Sequence, residues 1–223
     1  MLVYGDAVQV AEPRRQLGRV AAALDRAGDA AGGLDRHDRL VEVLIEAGEF
    51  AQAAIDAEFE AAGRDAPSPL RDVATALLIA LAAEIRRSWA AGFPTGPVDP
   101  ALRHRIDTLA GMPLPAEIRC RLPEGFAFYT LYPEAYLEAS AMLAETRPVT
   151  VIGIRSIGLT LGAVVAEACG ADRLVSMRPV GHPFRREISL DPGLAADLLR
   201  DPAATYAVVD EGPGLSGSSF GAV

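Results

Sequence analysis

Apolar residues recur at helical spacing through the first half of the chain and gather into short β-branched runs through the second. Pro13 suits the first position of a helix on which Leu17, Val20, Ala21 and Leu24 share a face, and Gly28 suits its end. Gly32 and Gly33 interrupt the pattern. Asp35 or Asp38 then fits the cap of a second helix running to about Ala62, with Leu40, Val43, Leu44, Ala47, Phe50 and Ala54 on its inner side. In Pro67-Ser68-Pro69, Ser68 is placed to cap a third helix, from Leu70 to about Ala91. Its middle (Val73, Ala76, Leu77, Leu78, Ile79, Leu81) is apolar nearly all round, as expected of the central member of a bundle. Asp99-Pro100 opens a short fourth helix with Leu102, Ile106 and Leu109, closed by Gly111.

From about Pro113 the period changes. Ile118 and Leu122 fit a short helix. Phe126, Phe128 and Thr130 alternate with Ala127 and Tyr129, which predicts a strand. Pro133 opens a helix to about Glu145, with Tyr136, Leu137, Ser140 and Leu143 inward. Residues 149–152 read as a buried strand and residues 158–169 as a helix whose small side chains allow close packing on a sheet. Residues 173–180 and 186–190 read as strands around a loop at 181–185. Asp191-Pro192 begins a helix to Arg200, and residues 205–209 form another buried strand. Strand, helix, strand, helix, strand with short links predicts an α/β unit with a parallel sheet. The expected architecture is an N-terminal helical bundle, residues 1–111, followed by an α/β domain, residues 112–223.

Composition narrows the chemistry. Of 223 residues, 50% are hydrophobic and 23% charged, the balance of a globular chain rather than a disordered one. The net charge of −9 argues against a nucleic-acid-binding surface. All 21 basic residues are arginine. Without lysine there is no Schiff base, no pyridoxal-phosphate anchor and no Walker-type phosphate lysine. Phosphate must be met by arginine, backbone N–H groups or a metal. Cys120 and Cys169 form no short-spaced pair, and His37, His104 and His182 are too scattered for a zinc signature. The N-terminus lacks a basic start and a long apolar core, and the longest apolar run, residues 73–83, is too short to span a bilayer. A cytoplasmic protein is expected, with neither membrane nor nucleic acid as partner.

The chemistry gathers in three stretches. In residues 205–223 the strand ends at Asp210 and Glu211, followed by Gly212-Pro213-Gly214-Leu215-Ser216-Gly217-Ser218-Ser219 and the start of a helix. Small residues let backbone N–H groups close on an anion, and serine hydroxyls add donors. The acids would take sugar hydroxyls and the loop a phosphate; a plain Gly/Ser turn after a strand is the alternative. The second stretch, Gly153-Ile154-Arg155-Ser156-Ile157-Gly158, joins a strand to a helix, where ligands sit in open parallel sheets; a turn with a solvated arginine is its alternative. The third, residues 176–186, crowds Arg178, His182, Arg185 and Arg186 around a Pro/Gly-containing loop that is otherwise an exposed hairpin. On the second helix, Glu42, Glu46, Glu49, Asp56 and Glu60 form a stripe read as a solvated acidic face. Its Glu46-x-x-Glu49 resembles the metal-binding helix of the all-α nucleotide pyrophosphohydrolases. His37 and His104 are read as caps or surface residues.

Over residues 126–223 the chain resembles the type I phosphoribosyltransferases. In these an apolar strand, two acids and a loop ending in Thr/Ser-Gly-x-Thr/Ser bind phosphoribosyl pyrophosphate (PRPP). Here the loop is about one residue longer than in common members and contains Pro213. The resemblance implies glycosyl transfer in nucleotide metabolism, between PRPP and a base or related acceptor, with Mg2+ as cofactor. Asp210 and Glu211 would be catalytic, holding the ribose hydroxyls and stabilising the cationic sugar. Ser216, Gly217, Ser218 and Ser219 would hold the 5′-phosphate, and Arg155, Ser156, Ile157 and Gly158 the pyrophosphate. Arg178, His182, Arg185 and Arg186 would belong to a mobile loop closing over it, with His182 a candidate acid or base. The family's sheet continues beyond the phosphate loop, so a phosphoribosyltransferase-like domain lacking its C-terminal strands is expected. Open alternatives are a PRPP- or nucleotide-binding regulatory module and an interaction scaffold built on the helices; a homodimer is one assembly open to either.

Overall fold

The computed structural model describes residues 8–145, 148–214 and 216–223; residues 1–7 and Leu215 of the Gly/Ser loop lie outside the described residues. A first strand, β1 (Val8–Ala11), precedes four helices: α1 (Pro13–Asp29), α2 (Gly33–Ala62), α3 (Pro69–Ala90) and α4 (Pro100–Gly111). Their starts follow the local chemistry. Glu12 accepts from Arg14 N and Arg15 N, Ser68 Oγ from Arg71 N, and Asp99 from Ala101 N, each just before a proline in the first turn. α2 differs from expectation. Gly32 occupies its cap position with no side-chain bond, and Asp35 lies in the first turn. Leu17, Val20, Leu44, Phe50, Leu78 and Leu81 are among the buried residues of the bundle core.

Two short elements correct the sequence reading. Residues 118–122 are not helical. β2 (Ile118–Arg121) buries Ile118 and Cys120 and exposes Arg119 and Arg121, a two-residue period, and it pairs antiparallel with β1. Phe126, Phe128 and Thr130 do not form a strand. α5 (Glu124–Phe128) closes with Tyr129 N on Gly125 O, turning Phe126 inward and leaving Phe128 half exposed. The aromatic alternation is too short to compete with a turn nucleated behind Pro123. α6 (Pro133–Ser140) follows and ends in a 3₁₀ turn at Ala141–Glu145.

The α/β part is built on β3 (Val149–Ile154), α7 (Gly158–Cys169), β4 (Arg173–Met177) and β7 (Thr205–Val209), a parallel sheet of order β4-β3-β7. The expected strand at 173–180 stops at Met177. Beyond it, β5 (Val180–His182) and β6 (Arg185–Glu187) form a separate antiparallel hairpin, in place of the longer strand expected at 186–190. α8 (Pro192–Leu198) starts behind Asp191 and packs Leu194 and Leu198 on Ile152, Val175 and Met177. α9 (Ser218–Ala222) follows the Gly/Ser loop.

The two halves share one core across the expected boundary at residue 111. Leu159, Ala163 and Val164 of α7 belong to the helical core, whereas Leu161, Val165 and Cys169 of the same helix face the sheet. A Cβ on Gly48 of α2 would lie 2.0 Å from Thr160 Oγ1, so the bare glycine is what lets α2 and α7 approach. β1 and β2 also pair across that boundary. Among the described residues, no helix is long and apolar enough to cross a membrane.

Candidate functional site

β3 and β7 lie side by side, so the segments leaving their C-terminal ends meet. The contact is direct: a Cβ on Gly158 would stand 2.3 Å from Val209 O and 3.4 Å from Asp210 Cα. Glycine therefore lets the first turn of α7 rest against the end of β7. Ile157 occupies the cap position of α7 and supplies no side-chain bond, so the first N–H groups of this helix have no cap at this edge. Two of the stretches singled out in the sequence, 155–158 and 210–211, are thus adjacent.

Asp210 follows β7 and is partly buried. Its Oδ1 accepts from Glu211 N at 2.9 Å, and its carbonyl accepts from the Tyr136 hydroxyl at 3.1 Å. Burial pushes its carboxyl up to about 7; the Glu211 N–H bond opposes this, the Glu211 charge adds to it, and Arg178 opposes it. Glu211 is also raised, by burial and then by Glu124, while the Gly125 N–H bond holds it down. Its carboxylate therefore leans toward the start of α5. Burial, Asp210 and Glu211 together raise the Tyr136 hydroxyl. Tyr136, Glu124 and Gly125 were not foreseen, since nothing in the local pattern of residues 124–136 links them to residue 210.

The Gly/Ser loop and the hairpin are docked on each other. Ser216 Oγ and Ser218 Oγ both donate to Pro183 O, at 2.8 and 2.6 Å. Ser218 N donates to Ser216 Oγ at 3.2 Å, and Gly217 N to Pro213 O at 3.0 Å. This corrects the expectation that the N–H groups of residues 216–219 all converge on one point: those of Gly217 and Ser218 are used within the loop. Gly217 has φ +64° and open space where a side chain would stand, and Ser219 is half-buried. The hairpin sets His182 and Arg185 in solvent. His182 Nδ1 accepts from Phe184 N at 3.3 Å, and Arg186 donates to Gly181 O at 3.1 Å.

Arg155 and Arg178 are where the structure departs most from the sequence reading. Arg155 was expected to face pyrophosphate; its side chain is fully buried, with Nε on Asp56 Oδ1 (2.8 Å), Nη2 on Asp65 Oδ1 (2.6 Å) and Nη1 on Ser176 O and Oγ (3.2 and 3.0 Å). Phe59 stacks below its guanidinium. Arg178 was expected on the mobile loop; it lies between β4 and the hairpin, with Nε and Nη2 on Asp56 and Nη1 on Arg155 O. The Ile157 side chain is part of the core, which leaves its backbone as the group that could face a ligand, and Ser156 is half-buried. The physical reason is that both arginines point back into the helical half, where two carboxylates meet them.

Those carboxylates were missed. Asp56 belongs to the acidic stripe of α2 that the sequence alone presents as a solvated face. Burial opposes its ionisation, but the charge and hydrogen bond of Arg178, the charge of Arg155 and the Gln52 bond outweigh this and hold it below its ordinary value. The stripe is not uniformly solvated, since burial also raises Glu49. Asp65, in the α2–α3 connection, is 1% exposed and also pairs with Arg71. His37 corrects another expectation. It is buried between Ser88 Oγ (3.0 Å) and Glu134 Oε1 (2.8 Å), whereas His104 is exposed as expected. No family model, no curated protein and no solved structure matches the chain.

Proposed function

We propose that the chain is a phosphoribosyltransferase-like protein that takes a ribose-phosphate ligand of the PRPP kind beyond the C-terminal ends of β3 and β7. The observation that carries this reading is the abutment of the α7 N-terminus on Asp210, a partly buried acid whose carboxyl is raised to about 7. An uncapped helix start favours anionic oxygens, and a poorly compensated carboxylate favours hydroxyl donors or a developing positive charge. Both lie at the sheet edge where ligands of open parallel sheets bind.

On this reading Asp210 holds the ribose hydroxyls and stabilises the sugar cation as pyrophosphate leaves, with Glu211 beside it. The amides of Ser156 and Gly158 meet the pyrophosphate. Arg185 and Arg186 on the docked hairpin supply the positive charge that Arg155 and Arg178 have committed elsewhere. The work asked of the protein is positioning and charge stabilisation. Asp210 and Glu211 are hard oxygen donors that suit Mg2+. Among the described residues no three His, Cys, Asp or Glu side chains gather as a metal cage. Mg2+ would therefore bind mainly through the ligand's phosphate oxygens, as it commonly does, and screen their charge.

A second reading, ligand binding without transfer in a regulatory module, is favoured by one observation: the two arginines nearest the β3–α7 turn are tied into internal ion pairs. Calorimetry of the full chain with PRPP and Mg2+, followed by a pyrophosphate-release assay with candidate bases, separates the two. Binding with release supports transfer, and binding without release supports the regulatory module. The absence of heat at millimolar PRPP from folded protein rejects both.

A further inference from the structure

The buried arginine–aspartate joint lies outside the ligand-facing residues and has no part in the chemistry just described. Four of its side chains come from two places in the fold. Asp56 (on α2) and Asp65 (between α2 and α3) belong to the helical half, while Arg155 and Arg178 flank the β3–α7 turn and the end of β4. Their bonds reach the backbone as well as each other. Arg155 N donates to Met177 O at 2.9 Å, and Arg155 O accepts from Arg178 Nη1 at 2.7 Å, so both peptide groups of the first turn residue are held. Arg178 N donates to Asp65 Oδ2 at 2.8 Å. Asp65 is fixed in turn by its own backbone, with its N–H on Ser189 O at 2.8 Å and its carbonyl accepting from Asp191 N at 2.7 Å. Gln52 Nε2 holds the second oxygen of Asp56 at 2.9 Å.

We propose that Asp56 and Asp65 are positioning residues: through Arg155 and Arg178 they lock the β3–α7 turn, so that a diphosphate group is met there by fixed backbone N–H groups of residues 156–158 rather than by the guanidiniums of Arg155 and Arg178. The ligand half of this statement rests on the PRPP reading above; the anchoring half does not. Paired and hydrogen-bonded on every side, the two arginines cannot swing out without leaving buried carboxylates unpaired, which is strongly unfavourable. A turn held at this edge needs little further ordering when the anion arrives, and pre-organisation of that kind raises affinity by lowering the cost of binding. The helical half thus acts on the candidate site without touching the ligand.

The test uses the full chain and Asp56→Asn, which keeps the shape of the side chain and removes its charge. Two amides report on the turn in the absence of ligand: Arg155 N–H, bonded to Met177 O, and Leu161 N–H, bonded to Ile157 O. Both should exchange roughly tenfold faster in the variant, while amides of α1 stay within about twofold. Unchanged exchange at Arg155 and Leu161 in a folded variant overturns the proposal. With Mg2+ present, inorganic pyrophosphate should bind roughly tenfold more weakly to the variant and ribose 5-phosphate within about twofold of the parent. Equal losses for the two ligands also overturn it, because a merely structural role would weaken both. If Asp56→Asn does not fold, Gln52→Ala, which removes one bond to Asp56, should shift the same readouts in the same direction by a smaller factor. If the parent protein binds neither ligand, the PRPP reading falls and the exchange rates alone decide the anchoring.

Discussion

Asp56 and Asp210 are both partly buried near the same edge of the parallel sheet, yet their carboxyls are pushed in opposite directions. Asp56 is met by two guanidiniums and an amide, and its ionised form is favoured. Asp210 is met by one N–H group, with another acid beside it and Arg178 turned mainly toward Asp56, and its neutral form is favoured. The first region is a joint in which Arg155 and Arg178 are fully bonded, although Arg71 reaches Asp65 through Nη2 alone, and it fixes the halves of the molecule to each other. The second is an under-compensated edge at which an arriving hydroxyl, cation or proton would gain free energy. On the reading proposed above, the perturbed acid rather than the arginine of the promising loop marks the ligand edge.

The comparison is broken most forcefully at Asp65. Asp65→Ala leaves Arg71 and Arg155 buried without their shared partner and should destabilise the protein by about 3–5 kcal/mol in urea denaturation. A loss under about 1 kcal/mol would mean that water or a rearrangement satisfies the arginines, and that the joint is not sealed.

Asp210 should behave in the opposite sense. Unfolded, its carboxyl ionises near 3.9; folded, near 7. Between those pH values the folded state keeps a proton that the unfolded state has lost, so stability falls as pH rises from about 4 to about 7 and stays lower above. Asp210→Asn retains an acceptor for Glu211 N and should raise stability at pH 8 by roughly 1–3 kcal/mol, the full conversion at 1.36 kcal/mol per pKa unit being reduced because water still reaches the group. Thermal melts at pH 4 and pH 8 check this. The gain should be absent at pH 4, and a gain equal at both values would show that ionisation is not its cause.

The smallest effect is expected for a solvated pair. Arg26 and Glu42 lie 2.7 Å apart with nearly half of each side chain exposed. Glu42→Gln should change stability by no more than about 0–1 kcal/mol, and less in high salt. A larger loss in the same urea series would blur the distinction between sealed and solvated carboxylates.

The long helices were legible because their signals are local: Ser68 before Pro69, Asp99 before Pro100 and apolar residues at helical spacing act within a few positions. The β-branched runs of β3 and β7 were legible for the same reason. β2 was hidden because its exposed positions are Arg119 and Arg121 and its partner, Val8–Ala11, is remote in sequence. α5 was misread because Phe126 and Phe128 mimic a strand over a stretch too short to establish a period. At the candidate site, the acid pair and the turn before Gly158 were each recognisable as lying beyond the carboxyl end of a parallel strand; their adjacency came only with the strand order β4-β3-β7. The commitments of Arg155 and Arg178 were not, since Asp56 and Asp65 lie in a half of the chain whose docking no local pattern describes.

The ion pairs of the joint link residues 90, 99 and 122 positions apart. Contacts of such long range carry the entropy cost of closing a long loop, a cost that falls when the segments between them are already ordered. The bundle and the sheet are therefore expected each to gain structure before the arginines find their carboxylates, with the joint forming late on the route to the native state. Interactions absent from the folding transition state act mainly on the rate of unfolding. On that order of events the Asp56–Arg178 and Asp65–Arg155 pairs would contribute chiefly to the lifetime of the assembled molecule, as a latch that shuts last and must open first.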